Sequence, residues 1–233
     1  MKSFGVILAG GEGKRFKYKK GKIFFKLHGK RLIDYAIDKI NKMKLNCVVI
    51  ANKKNKDQIK RKDCEIIIQK KPLGTGNAIM TFLNNYKQFK KCLVINADTP
   101  FVHIEDIKRL IKSLKNANIS LLCYENKKNI SDGVIIVKKN NFIIKEFKFL
   151  NKDEKKLKMC NSGVMVFDRK IAKQFLNIKR NIFKKEYLIT DIFKVIKNKN
   201  YKTKIVQAKY PNLCHGINTP KESRKVLKFI NIN

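Results

Sequence analysis

The sequence predicts an α/β fold: a Rossmann-like three-layer αβα arrangement around a mixed, mostly parallel sheet, in a single domain. Three observations carry this. Short apolar runs alternate with amphipathic helical stretches through residue 123, the pattern of a parallel sheet with helices on both faces. After residue 124 two short runs flank Lys139-Asn140-Asn141, which reads as a β-hairpin. No Gly/Ser/Pro-rich linker and no internal repeat divides the 233 residues.

The elements follow in order. Residues 4–8 form an apolar run that reads as a buried first strand, and Gly10, Gly11 and Gly13 break it. Residues 31–43 place Leu32, Ile33, Ala36, Ile37, Ile40 and Met43 on one helical face. Residues 47–50 and 65–69 read as strands, with the lysine-rich run 53–62 between them as one exposed helix. A helix begins near Gly76 and carries Ala78, Ile79, Phe82 and Leu83. Residues 92–95 form the next strand, followed by a helix with Ile104, Ile107, Leu110, Ile111 and Leu114 in register. The second half reads as a hairpin (134–137 and 142–147), a strand entered at Asn161-Ser162-Gly163 (164–167) and helices over 171–176 and 187–196. A strand (203–208) and a closing helix (220–230) with Pro220 in its first turn complete the chain. Residues 1–123 are expected to form a first lobe and 124–233 the lobe that completes the domain.

Composition narrows the function. Lys and Arg number 55 against 18 Asp and Glu, a formal charge of +37. A nucleic-acid partner is one reading of such an excess. The excess is nearly all Lys and is spread over every helix, whereas Arg carries bidentate phosphate and base readout. No nucleic-acid motif and no aromatics interleaved with the basic runs support it. Solvated lysine faces are the simpler account, and nucleic acid is not expected as a partner. Six cysteines without a C-x-x-C spacing read as free thiols of a reducing compartment. No run approaches the ~20 apolar residues of a spanning helix. A cytoplasmic protein with no membrane association is expected; self-association is left open.

In parallel α/β sheets ligands sit beyond the carboxyl ends of the strands. The first strand ends in Leu8-Ala9-Gly10-Gly11, a turn whose backbone suits phosphates, with Arg15 and Lys22 just beyond. The turn lacks the spacing of a P-loop or of a dinucleotide fingerprint. Gln69, with a donor and an acceptor, suits a base edge; Leu73-Gly74-Thr75-Gly76 follows it. Asp98 closes another strand after Asn96-Ala97 and is a hard oxygen ligand suited to a divalent cation.

Taken together, Leu8-Ala9-Gly10-Gly11-x-Gly13-x-Arg15, Lys22, Gln69-x3-Leu73-Gly74-Thr75-Gly76-Asn77-Ala78, Asp98-x-Pro100, Asn161-x-Gly163, Glu186-Tyr187-x2-Thr190-Asp191 and Gly216-x-Asn218 resemble the sugar-1-phosphate nucleotidyltransferases. The likeness is greatest to the uridylyltransferase domain of the bacterial bifunctional UDP-N-acetylglucosamine pyrophosphorylases, and it runs in order over nearly the whole chain. It implies the nucleotide-diphospho-sugar transferase fold. It also implies Mg²⁺-dependent transfer of uridylyl from UTP to N-acetylglucosamine 1-phosphate, a step of cell-wall precursor synthesis. By the same resemblance Leu8, Ala9, Gly10, Gly11, Lys22, Gln69, Gly74, Thr75, Asn96 and Ala97 contact the nucleotide. Gly133, Glu146, Asn161 and Thr190 hold the sugar, Asp98 and Asn218 hold the magnesium ion, and Arg15, Lys22 and Asp98 are catalytic. Departures are Lys14 where the family has Thr, Asn96-Ala97 for Tyr-Gly, Gly21 for Pro and Leu188 for an aromatic. Gly133 aligns only across a one-residue gap. No hexapeptide repeats of an acetyltransferase β-helix follow, so nucleotide transfer alone is expected. The alternatives are another sugar-phosphate transferase or a MobA-like transferase using GTP or CTP.

Overall fold

The structure is a computed structural model of the 233-residue chain. It describes all residues except 12, 14, 15, 17, 19, 127–132, 139, 140, 147, 148, 228 and 230–233. Its centre is β1 (Ser3–Ala9), almost wholly buried. β4 (Asn46–Ala51) and β6 (Lys91–Asn96) pair with it in parallel on either side. β5 (Glu65–Ile68) extends the sheet beyond β4, also in parallel. On the other flank β10 (Met159–Asp168) runs antiparallel to both β6 and β7 (Ile119–Glu125), and β11 (Thr203–Gln207) lies parallel to β7 at the edge. The order is β11-β7-β10-β6-β1-β4-β5, mostly parallel as the sequence predicts. The hairpin β8 (Val134–Lys138) and β9 (Asn141–Lys145) joins at β10. A short pair, β2 (Lys26–Leu27) and β3 (Lys30–Arg31), stands apart.

Strand side chains alternate between faces, and β1 shows where each face goes. Phe4, Val6 and Leu8 pack with Ala78, Ile79, Phe82 and Leu83 of α3 (Thr75–Asn85) and with Ile192 and Phe193 of α5 (Ile192–Val195). Ile7 and Ala9 pack on Ile33, Ala36, Ile37 and Ile40 of α1 (Leu32–Lys42) and on Ile107 and Leu110 of α4 (Ile104–Ser113). Two hydrophobic layers on one sheet make the αβα sandwich. On α4 the fully buried Asp106 accepts from the backbone N–H groups of Lys209 (2.8 Å) and Tyr210 (3.1 Å) and from Arg109 (3.1 Å), pinning the segment that leaves β11.

Four elements depart from the sequence expectation. The helix expected over 171–176 is of the 3₁₀ type, Arg169–Asn177. The lysine run yields one helical turn, α2 (Lys53–Lys56), not a helix to residue 62. Asn55 within it is buried and donates to the Ala9 carbonyl at 2.7 Å, which ties the turn to β1. The strand expected from residue 164 begins at Met159, so Asn161-Ser162-Gly163 lies inside β10, at a register break between Asn161 and Met165. Such an irregularity bends a strand and re-aims its side chains. The helix expected over 187–196 is a 3₁₀ turn (Ile189–Asp191) followed by α5. The Tyr187 carbonyl, which an α-helix would pair with the Asp191 N–H, accepts from the Gly76 N–H instead (2.8 Å), and the Tyr187 and Ile189 N–H groups go to the Leu73 carbonyl (2.7 Å) and the Thr75 hydroxyl (3.0 Å), so this backbone is tied to the neighbouring loop. The closing helix is α6 (Pro220–Leu227). The six cysteines are free, five of them buried. No helix among the described residues is long and apolar enough to cross a membrane.

Candidate active site

The parallel strands β1, β5 and β6 end along one edge of the sheet. There they frame a cleft of about 580 Å³, lined by Leu8 to Gly11, Gly13, Phe16, Lys22, Ile23, Gln69, Pro72, Gly74, Thr75, Ala78, Asn96, Ala97, Asp98, Glu186 and Asn218. Every residue expected to touch the nucleotide is therefore in one cavity. The glycine turn is held from behind: Asn52 donates to the Gly10 carbonyl at 2.9 Å and Asn55 to that of Ala9. The Ala97 N–H reaches the Leu8 carbonyl (3.0 Å), which locks the ends of β1 and β6 side by side.

At the floor of the cleft Lys22 Nζ donates to Asp98 Oδ2 at 2.5 Å and to Asn218 Oδ1 at 3.1 Å. Two hard oxygens from distant parts of the chain thus converge on one cation. Local structure explains how Asn218 gets there. Thr219-Pro220-Lys221-Glu222 is a capping box at the start of α6: the Glu222 N–H reaches the Thr219 hydroxyl (3.2 Å), and Glu222 Oε2 accepts from the Thr219 N–H (3.0 Å). The same carboxylate accepts from the Asn218 N–H at 2.6 Å, and the Ile217 N–H is bonded to the Asp98 carbonyl at 2.8 Å. The cap of the closing helix therefore sets Asn218 against Asp98. One carboxylate and one amide oxygen suit Mg²⁺, which keeps several waters and takes few protein ligands. Among the described residues no group of three or more His, Cys, Asp and Glu side chains offers an alternative metal cluster.

The loop after β5 closes the side of the cleft expected to take the base. Gln69 is buried, and its amide nitrogen donates to the Gly74 carbonyl (3.1 Å) and to Asn77 Oδ1 (2.7 Å). Gly74 and Gly76 seat on the backbone of Tyr187, and the Gly76 N–H donates to the Tyr187 carbonyl (2.8 Å). The Thr75 hydroxyl is occupied by the Ile189 N–H, so Thr75 serves first to hold this wall.

The residues expected on the sugar side are less gathered. Asn161 and Gly133 meet through an N–H···O bond of 2.8 Å, and Gly163 packs directly against the side chain of Asn96. Glu146 lies in an ion pair with Lys184 (2.9 Å). Thr190 is half-buried in the 3₁₀ turn and does not line the cleft. Arg15 and Lys14 lie outside the described residues. Sequence reasoning assigned no role to Glu186, which lines the cleft, or to Asn77, which orients Gln69; both stand inside quoted motifs, but their contacts depend on segments brought together by folding.

Residues 5–177 match the family model of the MobA-like NTP transferase domain. The chain belongs to this family. It is a nucleotidyltransferase, and the MobA-like match spans the strands that build the cleft from β1 to β10. The bifunctional protein GlmU of Buchnera aphidicola subsp. Baizongia pistaciae is 32% identical over 222 residues, covering 91% of this chain and 49% of that protein. The bifunctional protein GlmU of Thermodesulfovibrio yellowstonii is 30% identical over 234 residues, covering 97% and 51%. The chain thus spans about half the length of the curated relatives it matches. A crystal structure from Bacillus anthracis, provisionally described as a glucose-1-phosphate thymidylyltransferase, superposes with a TM-score of 0.75 at 19% identity, over 99% of this chain and 96% of that one. At that identity the likeness concerns the fold.

Proposed function

We propose that this MobA-like transferase moves uridylyl from UTP to N-acetylglucosamine 1-phosphate in the presence of Mg²⁺, releasing pyrophosphate. The observation that carries the reading is the meeting of Lys22, Asp98 and Asn218 at the floor of a glycine-rich cleft. In this reading residues 1–123 supply the nucleotide lobe and 124–233 the sugar lobe, with Gly133, Glu146, Asn161 and Thr190 on the sugar side.

A phosphate oxygen of the sugar 1-phosphate attacks the α-phosphorus of UTP in line. The new O–P bond forms as the bond to the β-phosphate bridging oxygen breaks, and pyrophosphate leaves with that electron pair. The nucleophile is already an anion near neutral pH, so no general base is needed. What the site must supply is charge neutralisation, because two anions have to meet. Lys22 carries a positive charge at the floor, and Arg15 is assigned the same task. Leu8 to Gly11 contact the phosphates and nucleoside through backbone. Asp98 and Asn218 would hold magnesium, which when bound neutralises and orients phosphate oxygens.

The test is pyrophosphate release from a matrix of UTP, CTP, GTP and dTTP against N-acetylglucosamine 1-phosphate and glucose 1-phosphate. UTP with the amino-sugar phosphate is expected to be fastest. Asp98→Ala and Lys22→Ala are expected to lose roughly 10²–10³ in turnover with circular dichroism unchanged. Near-normal turnover in Lys22→Ala, or a preference for GTP or CTP, would refute the assignment.

A further inference from the structure

An amide side chain reads a base in one of two opposite senses, according to which end it presents. Gln69 has no freedom in this respect. Its amide has two N–H donors and one carbonyl oxygen, and both donors are taken, by the Gly74 carbonyl and by Asn77 Oδ1. The carbonyl oxygen, Oε1, lies over Gly10: a Cβ there would stand 2.3 Å from it. Among the described residues no donor reaches Oε1, yet no side-chain oxygen or nitrogen is left sealed without a partner. Oε1 therefore remains accessible, next to two residues, Gly10 and Gly74, that line the cleft. Turning the amide over would set Oε1 against the Gly74 carbonyl, acceptor against acceptor, and against Asn77 Oδ1 as well unless that amide turned with it, and would leave two N–H groups over the glycine turn.

We propose that Asn77 is a positioning residue: with the Gly74 carbonyl it locks Gln69 so that this side chain offers the cleft only an acceptor, and thereby selects a base with an N–H at the recognised edge. The inference rests on the nucleotide-site reading above. Uracil offers N3–H to such an acceptor. Cytosine has a bare N3 at the same place, and two acceptors would meet with no proton between them. A site built to pair one group rejects the analogue that leaves it unpaired. Gly74 is backbone and cannot be changed in this respect; Asn77 is the adjustable half of the lock.

The measurement is calorimetric binding of UTP and of CTP, each with Mg²⁺, to the full chain and to Asn77→Ala and Asn77→Asp. The readout is the ratio of the two affinities, which a loss of general stability would not move. The parent is expected to prefer UTP. Asn77→Ala, which frees one of the two N–H groups, is expected to cut that preference about fivefold, the worth of one hydrogen bond. Asn77→Asp keeps an acceptor at the same point and is expected to retain it. A parent that binds CTP as well as UTP overturns the inference but leaves nucleotide transfer standing. So does a ratio unchanged in Asn77→Ala. A parent that binds neither nucleotide overturns both the inference and the reading of the cleft.

Discussion

Substituting Gly74 by Ala tests how the wall of the cleft is held. Gly74 has φ 99° and ψ 177°, a region that is essentially closed to residues with a Cβ. Holding Ala there costs about 1–3 kcal/mol. The added methyl would also stand 2.6 Å from the Tyr187 carbonyl oxygen and 3.1 Å from its nitrogen. Both are backbone atoms, so the segment itself must retreat. Two bonds suffer as it does: Tyr187 N–H to the Leu73 carbonyl (2.7 Å) and Gly76 N–H to the Tyr187 carbonyl (2.8 Å). At about 1 kcal/mol each they bring the expected loss to about 3–5 kcal/mol, a large share of a typical 5–15 kcal/mol domain stability. Urea unfolding followed by circular dichroism measures it as a lower midpoint at constant slope. Gly76→Ala is the internal control. Its contacts with Tyr187 are 3.1 Å and its φ is not positive, so it is expected to lose less. A Gly74→Ala protein within 1 kcal/mol of the parent would show that the Tyr187 segment is not seated on this glycine.

Two further outcomes follow from buried charge. Asp106→Ala removes the acceptor of two backbone N–H groups and of Arg109, and is expected to cost about 2–4 kcal/mol in urea unfolding; a neutral result would mean water replaces the carboxylate. Lys39, half-buried with its ammonium bonded to the Val102 carbonyl, has its pKa lowered by desolvation from 10.5 to about 8. Its folded pKa is below its unfolded one, so the unfolded chain binds more protons between pH 8 and 10.5. Its penalty is complete below that window and fades as pH rises through it. The stability difference between Lys39→Met and the parent is therefore expected to shrink over that range, from a starting gain on the order of 3 kcal/mol less the lost Val102 bond; a difference independent of pH would refute it.

The sandwich was legible because each of its layers writes a period into the chain. β1 is apolar from Phe4 to Ala9 and α1 at every third or fourth position, and neither signal depends on distant residues. Much of the cleft was legible for a related reason: a parallel sheet delivers its strand ends to one edge, so Gly10, Gln69 and Asp98 meet wherever the strands do. What was hidden lies in contacts that have no local signature. Ile189, Ile192, Phe193 and Ile196 satisfy a helical period. Whether the helix starts at Tyr187 is decided far earlier in the chain, by Gly76, whose N–H donates to the Tyr187 carbonyl. Asn77 reads as an ordinary first-turn residue until the rotamer of Gln69 is known. The break at Asn161 is a matter of register between strands, and register is not written in either strand alone.

The capping box at α6 has a consequence for the order in which the protein comes into being. Lys22 and Asn218 are 196 residues apart, and Asn218 is set in place by Glu222. On a ribosome the glycine turn, Gln69 and Asp98 emerge long before the residue that completes their floor. The central strands β1, β4, β5 and β6 are all in hand by residue 96, so the sheet has its centre while the site is still unfinished. The nascent chain therefore carries the cleft without the second of the two oxygens that meet Lys22 until α6 is translated.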